Sequence, residues 1–270
     1  TKDCDIFLRD IKGGNAPNMV PDYAEAILEV KDYELFENSF NTYKSSKDYP
    51  IEISKDGKYV KILTRGISAH GSTPEKGENA ITYLMDFLGH ISNGECSICN
   101  FINLYNERIA FKHHGEGIGC GFEDDISGKL NFNVGMIKLE DGAIRLTINI
   151  RYPINYSSEE VYNGIRENLK NTTIELVEGK SDNKPLYVST DDFLVKKLMK
   201  VYQEFTGDYE SNPLAIGGGT YARALKNAVA FGAMFPGQPD LAHQKNEYIS
   251  IEHLMKITKI FAKALYELAK

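Results

Sequence analysis

A glycine turn, Gly217-Gly218-Gly219-Thr220, and a loop histidine, His243, are two polar devices that follow apolar runs in this sequence. Residues 214–247 read as strand, glycine turn, short helix over 221–227 and strand over 228–235. The polar loop Pro236-Gly237-Gln238-Pro239-Asp240-Leu241-Ala242-His243-Gln244-Lys245-Asn246-Glu247 follows. In open α/β sheets, ligands bind beyond strand ends of this kind. The free N–H groups of the turn and the positive end of the helix after it suit an anion, and a small carboxylate would serve. The same glycines would equally serve a tight strand-to-helix turn that binds nothing. Gly217-x-Gly219-x-x-Ala222 fits the loose dinucleotide fingerprint. The next strand, however, closes as Phe235-Pro236-Gly237, without the acidic residue that would hold a ribose, and no Gly-Lys-Ser/Thr follows for a phosphate loop.

Among the other histidines, His70 also occupies a loop, Ser68-Ala69-His70-Gly71-Ser72-Thr73-Pro74, just ahead of a helix. His113-His114 has no partner at metal-ligand spacing and reads as exposed, while His90 and His253 fall on helices. A lone loop histidine is more often a surface residue than a ligand. A metal needs three or more N, O or S ligands, and spacing alone supplies no such cluster. Cys96-x-x-Cys99 has the spacing of a zinc half-site or a redox pair. With no second pair, and no His pair in register, the four cysteines (Cys4, Cys96, Cys99, Cys120) read as reduced thiols of a cytosolic protein.

The elements that must position these residues differ between the two ends of the chain. Residues 5–11 form an apolar strand closed by Gly13-Gly14-Asn15-Ala16-Pro17-Asn18. A helix with Pro21 in its first turn and Ala24, Ile27 and Leu28 as its stripe is expected next, then a second helix over 33–44. Residues 58–65 read as a strand. Thr73 and Pro74 are suited to cap and open the helix of Ala80, Tyr83, Leu84, Phe87 and Ile91, which Asn93-Gly94 ends. Residues 95–128 read as helix, then glycine-rich loop. Residues 131–139 and 143–151 form a hairpin across Glu140-Asp141-Gly142. Within it Ile144, Leu146, Ile148 and Ile150 alternate, so one face is buried. Ser157 and Glu160 make a capping box, and 172–177 is a further expected strand. Gly179-Lys180-Ser181-Asp182-Asn183-Lys184-Pro185 is the best linker. Beyond it lie a capped helix over 190–205, the 214–247 stretch and a closing amphipathic helix through Ile251, Leu254, Ile257, Phe261, Leu265 and Leu268. The first ~180 residues are therefore α+β with antiparallel pairing; the last ~85 are α/β strand-helix units, too few to close a layered domain.

The length of 270 residues permits one large domain or two ordinary ones. A net charge of −7 argues against nucleic acid bound through a basic face. No apolar run approaches ~18 residues, so no membrane span or membrane partner is expected. No secretory leader opens the sequence. The first residue is Thr and the opening segment is polar, so a fragment or processed chain is expected.

Five stretches in order resemble the M20-type metallopeptidases, most closely the bacterial PepV-like dipeptidases. They are Gly14-Asn15-Ala16-Pro17-Asn18-Met19-Val20-Pro21-Asp22, Ser68-Ala69-His70-Gly71-Ser72-Thr73-Pro74-Glu75-Lys76-Gly77, Asn149-Ile150-Arg151-Tyr152-Pro153, Gly217-Gly218-Gly219-Thr220-Tyr221-Ala222-Arg223 and Ala242-His243-Gln244-Lys245-Asn246-Glu247. In that family a zinc-binding catalytic domain is interrupted by a lid. The resemblance implies that residues 1–185 are an antiparallel α+β lid and 186–270 the C-terminal strand-helix part of the α/β catalytic domain. It implies that His243 is a metal ligand and that His70 is the lid histidine that reaches the scissile carbonyl oxygen. Asn18 and Arg151 would contact the substrate or its transition state, and Gly219 with Thr220 would receive the substrate's C-terminal end. A metal-activated water would attack the peptide carbonyl, and a preorganised donor such as His70 would be worth roughly a few kcal/mol to the oxyanion.

The resemblance implies two zinc ions, with manganese or cobalt as substitutes, not fully bound in this chain. The family's His-x-Asp pair, bridging Asp, adjacent Glu-Glu and further Asp are not supplied by residues 1–270: no His-x-Asp occurs, and Glu159-Glu160 reads as a helix first turn. The missing N-terminal catalytic half is thus an implied partner, and the chain alone is expected to be inactive. A cytoplasmic dipeptidase acting on dipeptides or short peptides is the function implied for the intact protein. An N-acyl-amino-acid amidohydrolase and a non-catalytic binding or assembly module are the alternatives, and a nucleotide site on the Gly217 turn is a third.

Overall fold

Six segments, most with apolar residues at every second position and two with a register shift, build one antiparallel sheet. In the computed structural model, which describes residues 6–92, 94, 96–179, 182–232, 234–239, 241 and 246–270, the chain divides into two units, Thr1–Pro185 and Leu186–Lys270. In the first unit β1 (Ile6–Gly13), β2 (Tyr23–Val30), α1 (Tyr33–Ser46), β3 (Ile51–Asp56) and β4 (Tyr59–Arg65) are followed by α2 (Ala80–Ile91) and α3 (Ser97–Arg108). A small ribbon, β5 (Glu123–Asp124) with β6 (Gly128–Lys129), precedes the hairpin β7 (Asn131–Glu140) and β8 (Ala143–Arg151), and α4 (Ser158–Leu169) comes after it. The large sheet runs β3-β4-β2-β1-β7-β8, and its ladders are antiparallel.

α2 fills the middle of the core. It packs on β2 and β4 and buries Ala80, Ile81, Leu84, Met85, Phe87, Leu88 and Ile91 among others. The ring of Phe87 is ringed by Phe36, Phe40 and Tyr43, with centroids 6.1, 5.6 and 5.0 Å away. Fully burying a side chain of this size stabilises the fold by roughly 1.5–3 kcal/mol.

Residues 21–30, expected as a helix, are β2. Ala24, Ile27 and Leu28 satisfy helical spacing, but Ala24, Ala26, Leu28 and Val30 satisfy period two and are all buried. Ladders to β1 and β4 on either side decide for the strand. Pro21 opens no helix; its carbonyl accepts the Ala80 N–H at 2.9 Å. Nor does Thr73-Pro74 start α2. It opens a separate 3-10 turn, Pro74–Lys76, and Asn79 caps α2 by accepting from Ile81 N and Thr82 N. The capping box of Ser157 and Glu160 is present at α4. Residues 172–177 join no ladder; Ile174 and Leu176 pack on the core from an irregular segment.

The second unit contains α5 (Phe193–Thr206), capped by Asp192, and α6 (Ile251–Ala269), capped by Ser250. They meet through Leu198, Val201, Ile260 and Ala264. Among the described residues 214–235 no strand forms, and the expected helix over 221–227 is one 3-10 turn, Tyr221–Ala224. A strand is stable only when its backbone groups find a neighbour, and no described segment of this unit provides one. Leu214, Ile216 and Leu225 are accordingly exposed at 85%, 61% and 67%. The architecture is thus mixed α+β around an antiparallel sheet. Among the described residues no helix is long and apolar enough to cross a membrane.

Candidate active site

The Asn18 loop and the His70 loop are stapled together by backbone. Gly14, at φ 71°, turns the chain out of β1, and its N–H donates to Tyr23 O at 3.1 Å, closing the loop over β2. Within the loop Met19 forms an antiparallel bridge with His70, Val20 N donates to Ala69 O at 2.8 Å, and Gly71 N donates to Asn18 O at 2.7 Å. A Cβ at Gly71 would lie 2.9 Å from Asn18 O, so only glycine admits this approach. Asn18 is exposed and His70 half-buried, the pattern of groups presented to a ligand from a fixed main chain.

The His70 ring is oriented by its own loop. Nδ1 lies 2.6 Å from Ser72 Oγ and accepts the Ser72 N–H at 3.3 Å. A backbone N–H only donates, so Nδ1 serves as acceptor and a neutral ring carries its proton on Nε2. That is the tautomer needed to donate to a developing oxyanion.

Arg151 ends β8 opposite Asn131, and its Nε donates to Asn149 Oδ1 at 3.1 Å. Asn149 stands opposite Asn133 on β7, whose Nδ2 donates to Pro17 O at 2.8 Å and Met19 O at 2.9 Å. Residues i and i+2, and directly opposed residues, share one sheet face. Phe132 and Val134 belong to the core and Ile148 and Ile150 pack against it, so Asn133, Asn149 and Arg151 share the other face with the Asn18 loop. The first unit therefore brings Asn18, His70 and Arg151 to one end of one sheet face.

In the second unit Gly219 is exposed, and Thr220 has an extended backbone ahead of the 3-10 turn. Arg223 N donates to Thr220 O at 3.2 Å. A Cβ on Gly218 would meet nothing within 4 Å, and one on Gly219 would touch only the Arg223 side chain at 3.5 Å, so packing does not demand glycine at either place. The four-residue 3-10 turn also removes the helix-dipole argument for an anion here. His243 lies outside the described residues. Among those described, no group of three or more His, Cys, Asp or Glu could hold a metal ion, so they do not make a zinc site by themselves.

His113 and His114 are structural rather than exposed. His113 is half-buried, and burial holds its imidazole below the usual range. Its carbonyl accepts the Phe132 N–H at 2.8 Å, and His114 Nδ1 lies 2.9 Å from Leu130 O. Cys96 caps α3, its Sγ accepting the Cys99 N–H at 3.2 Å. The buried Cys120 thiol is pushed up to about 12, chiefly by desolvation, which makes it inert. Ser72, Asn133 and Asn149 are supports that spacing did not reveal. Their signal was the cross-strand register of the hairpin and a hydroxyl two residues after a loop histidine.

Residues 29–267 match the profile of Peptidase family M20/M25/M40. The chain belongs to this peptidase family. It is 38% identical over 265 residues to a Bacillus subtilis (strain 168) protein named "Putative dipeptidase YtjP", covering 97% of this chain and 56% of that protein. It is 37% identical over 272 residues to a "Putative dipeptidase" of Staphylococcus epidermidis (strain ATCC 12228 / FDA PCI 1200), covering 99% of this chain and 57% of that one. "Putative dipeptidase SSP1012" of Staphylococcus saprophyticus is 37% identical over 266 residues, with 97% and 55% covered. The chain spans about half the length of the curated relatives it matches. In this M20 family chain the matched region takes in the His70 loop, Arg151 and the Gly219-Thr220 turn, while Asn18 precedes it.

Proposed function

We propose that the whole protein of which this chain is part hydrolyses dipeptides or other short peptides. His70 is its oxyanion donor, and Asn18 and Arg151 hold the substrate or its transition state. The observation that carries this reading is the arrangement in the first unit: Ser72 holds His70 Nδ1 as an acceptor, and Asn18 and Arg151 share its end of the sheet. As the scissile carbonyl oxygen gains charge, the Nε2–H of His70 donates to it, a contribution of roughly 2.7–4 kcal/mol for a well-placed donor. The planar fork of Arg151 suits two oxygens of a carboxylate, and the Asn18 amide supplies a neutral donor beside it. Gly219 and Thr220 are assigned to the substrate's C-terminal end. Relatives named as dipeptidases support peptides as substrates.

Family membership supports a metal-dependent reaction. The ion we assign is zinc, two per intact protein, with manganese or cobalt able to replace it and His243 as one ligand. No group of three or more possible ligands is assembled among the described residues, and the roles proposed for His70, Asn18 and Arg151 do not depend on one. No His-x-Asp occurs in the 270 residues, and Glu159 and Glu160 occupy the first turn of α4, so the chain alone is expected to be inactive. A cytoplasmic setting, expected from the cysteine usage, belongs to the same proposal.

A substrate panel on the full-length protein tests the reading. Turnover of dipeptides with little on N-acyl amino acids supports it. Preference for N-acyl amino acids would assign an amidohydrolase instead, and no turnover of either with zinc, manganese or cobalt would favour a binding module.

A further inference from the structure

Asn133 stands on β7 with 1% of its surface exposed, a place where an amide costs stability unless its polar groups are used. Both hydrogens of its amide go to one target, since Pro17 O and Met19 O lie on either side of Asn18. The peptide that presents Asn18 is therefore clamped from both ends. The clamp extends to His70, because Asn18 O accepts the Gly71 N–H and Met19 bridges His70. Across the ladder Asn133 faces Asn149, which accepts from Arg151. The supports of Asn18 and His70 meet at this one side chain, and the support of Arg151 stands opposite it in the ladder. Packing does not explain the choice, for Asn133 Oδ1 is buried and has no partner among the described residues. An apolar residue of similar volume would avoid that penalty of about 1–3 kcal/mol.

We propose that Asn133 is a positioning residue: its amide fixes the peptide of Asn18 and the main chain of His70 at the spacing from Arg151 that the reaction needs. Burial keeps Asn133 off the substrate, so it acts through Asn18 and His70. This inference rests on the proposed hydrolase reading and extends it to a residue outside the site. Without the clamp the Asn18 loop and the His70 bridge relax together, and a displacement of about 1 Å in such a group costs up to ~10²-fold in rate.

The test is a double-mutant cycle of Asn133→Ser and His70→Ala in the full-length protein, read as kcat and KM for a dipeptide together with the thermal midpoint. Asn133→Ser removes both clamp bonds while keeping a small polar side chain. Asn133→Asp, nearly isosteric but without the two donors, replaces it in the cycle if the serine variant does not fold. In the wild-type background kcat is expected to fall about 10–100-fold with KM moved less than about threefold. In the His70→Ala background the further loss is expected to be several-fold smaller, because one of the two positioned groups is gone and what remains acts through Asn18. An equal fold-loss in both backgrounds overturns the positioning role and leaves the His70 reading standing. Unchanged hydrolysis by His70→Ala alone overturns the oxyanion role proposed for His70, and the inference falls with it, while absence of dipeptide turnover by the wild-type protein overturns the hydrolase reading itself.

Discussion

A histidine that donates to an oxyanion must hold its proton on the nitrogen that faces the substrate, and in the role proposed for His70 the Ser72 contacts to Nδ1 would leave that proton on Nε2. Removing the hydroxyl deletes the 2.6 Å contact to Nδ1 and keeps the 3.3 Å bond from the Ser72 N–H. Ser72→Ala in the full-length protein is expected to lower kcat about tenfold with little change in KM, since supports of this kind orient rather than bind. Steady-state kinetics checks this, and a change in KM alone would contradict it. Glu25 gives a pH prediction. Burial pushes its carboxyl up, but hydrogen bonds and charges from Lys61 and Lys12, at 2.7 and 2.9 Å, outweigh this and leave it below the usual 4.5. A lowered carboxylate stabilises the fold above its unfolded pKa, and that share is lost as pH falls through the folded value. Thermal midpoints of the chain should therefore drop below about pH 4.5, and Glu25→Gln should flatten that acid limb. The loop positions of Asn18 and His70 and the strand-end position of Arg151 were legible in the sequence because each sits in a distinctive local stretch. Asn133 was not, because a polar residue in an alternating strand reads as a solvent-facing one until its partner strand is known.

Elements were legible where local signals and tertiary pairing agree. α1, α4, the closing helix and the β7-β8 hairpin carry caps, periodicity and a turn that all point one way. β2 was misread because alanine and leucine suit a helix and only its two neighbours make it a strand. For the runs at 214–216 and 228–235 apolar composition suggests strands, but among their described residues none forms, since no described segment of that unit offers a partner. α2 organises the first unit, and Phe87 is its most heavily ringed residue. Phe87→Ala is expected to cost about 3–5 kcal/mol, measured by denaturant unfolding of the chain. A loss under about 1 kcal/mol would mean that α2 is not the centre of the core.

At the scale of the whole molecule the two units differ in how much they bury. Unit Thr1–Pro185 has a continuous core from Ile11 to Ile165, whereas Leu186–Lys270 relies on a few contacts between α5 and α6 and exposes Leu214, Tyr221, Ile251 and Leu265. Residues 1–185 alone should unfold cooperatively, and residues 186–270 alone should not, because so small a core rarely offsets chain entropy. Calorimetry of the two pieces checks this. The proposed role of His70 as oxyanion donor is narrower and can be tested on its own. The direct measurement is kcat for dipeptide hydrolysis by full-length protein with His70 replaced by alanine, under conditions where both proteins are folded and metal-loaded. A fall of about 10²–10³-fold with KM little changed is expected; a kcat within about twofold of the wild type would rule out His70 as the oxyanion donor.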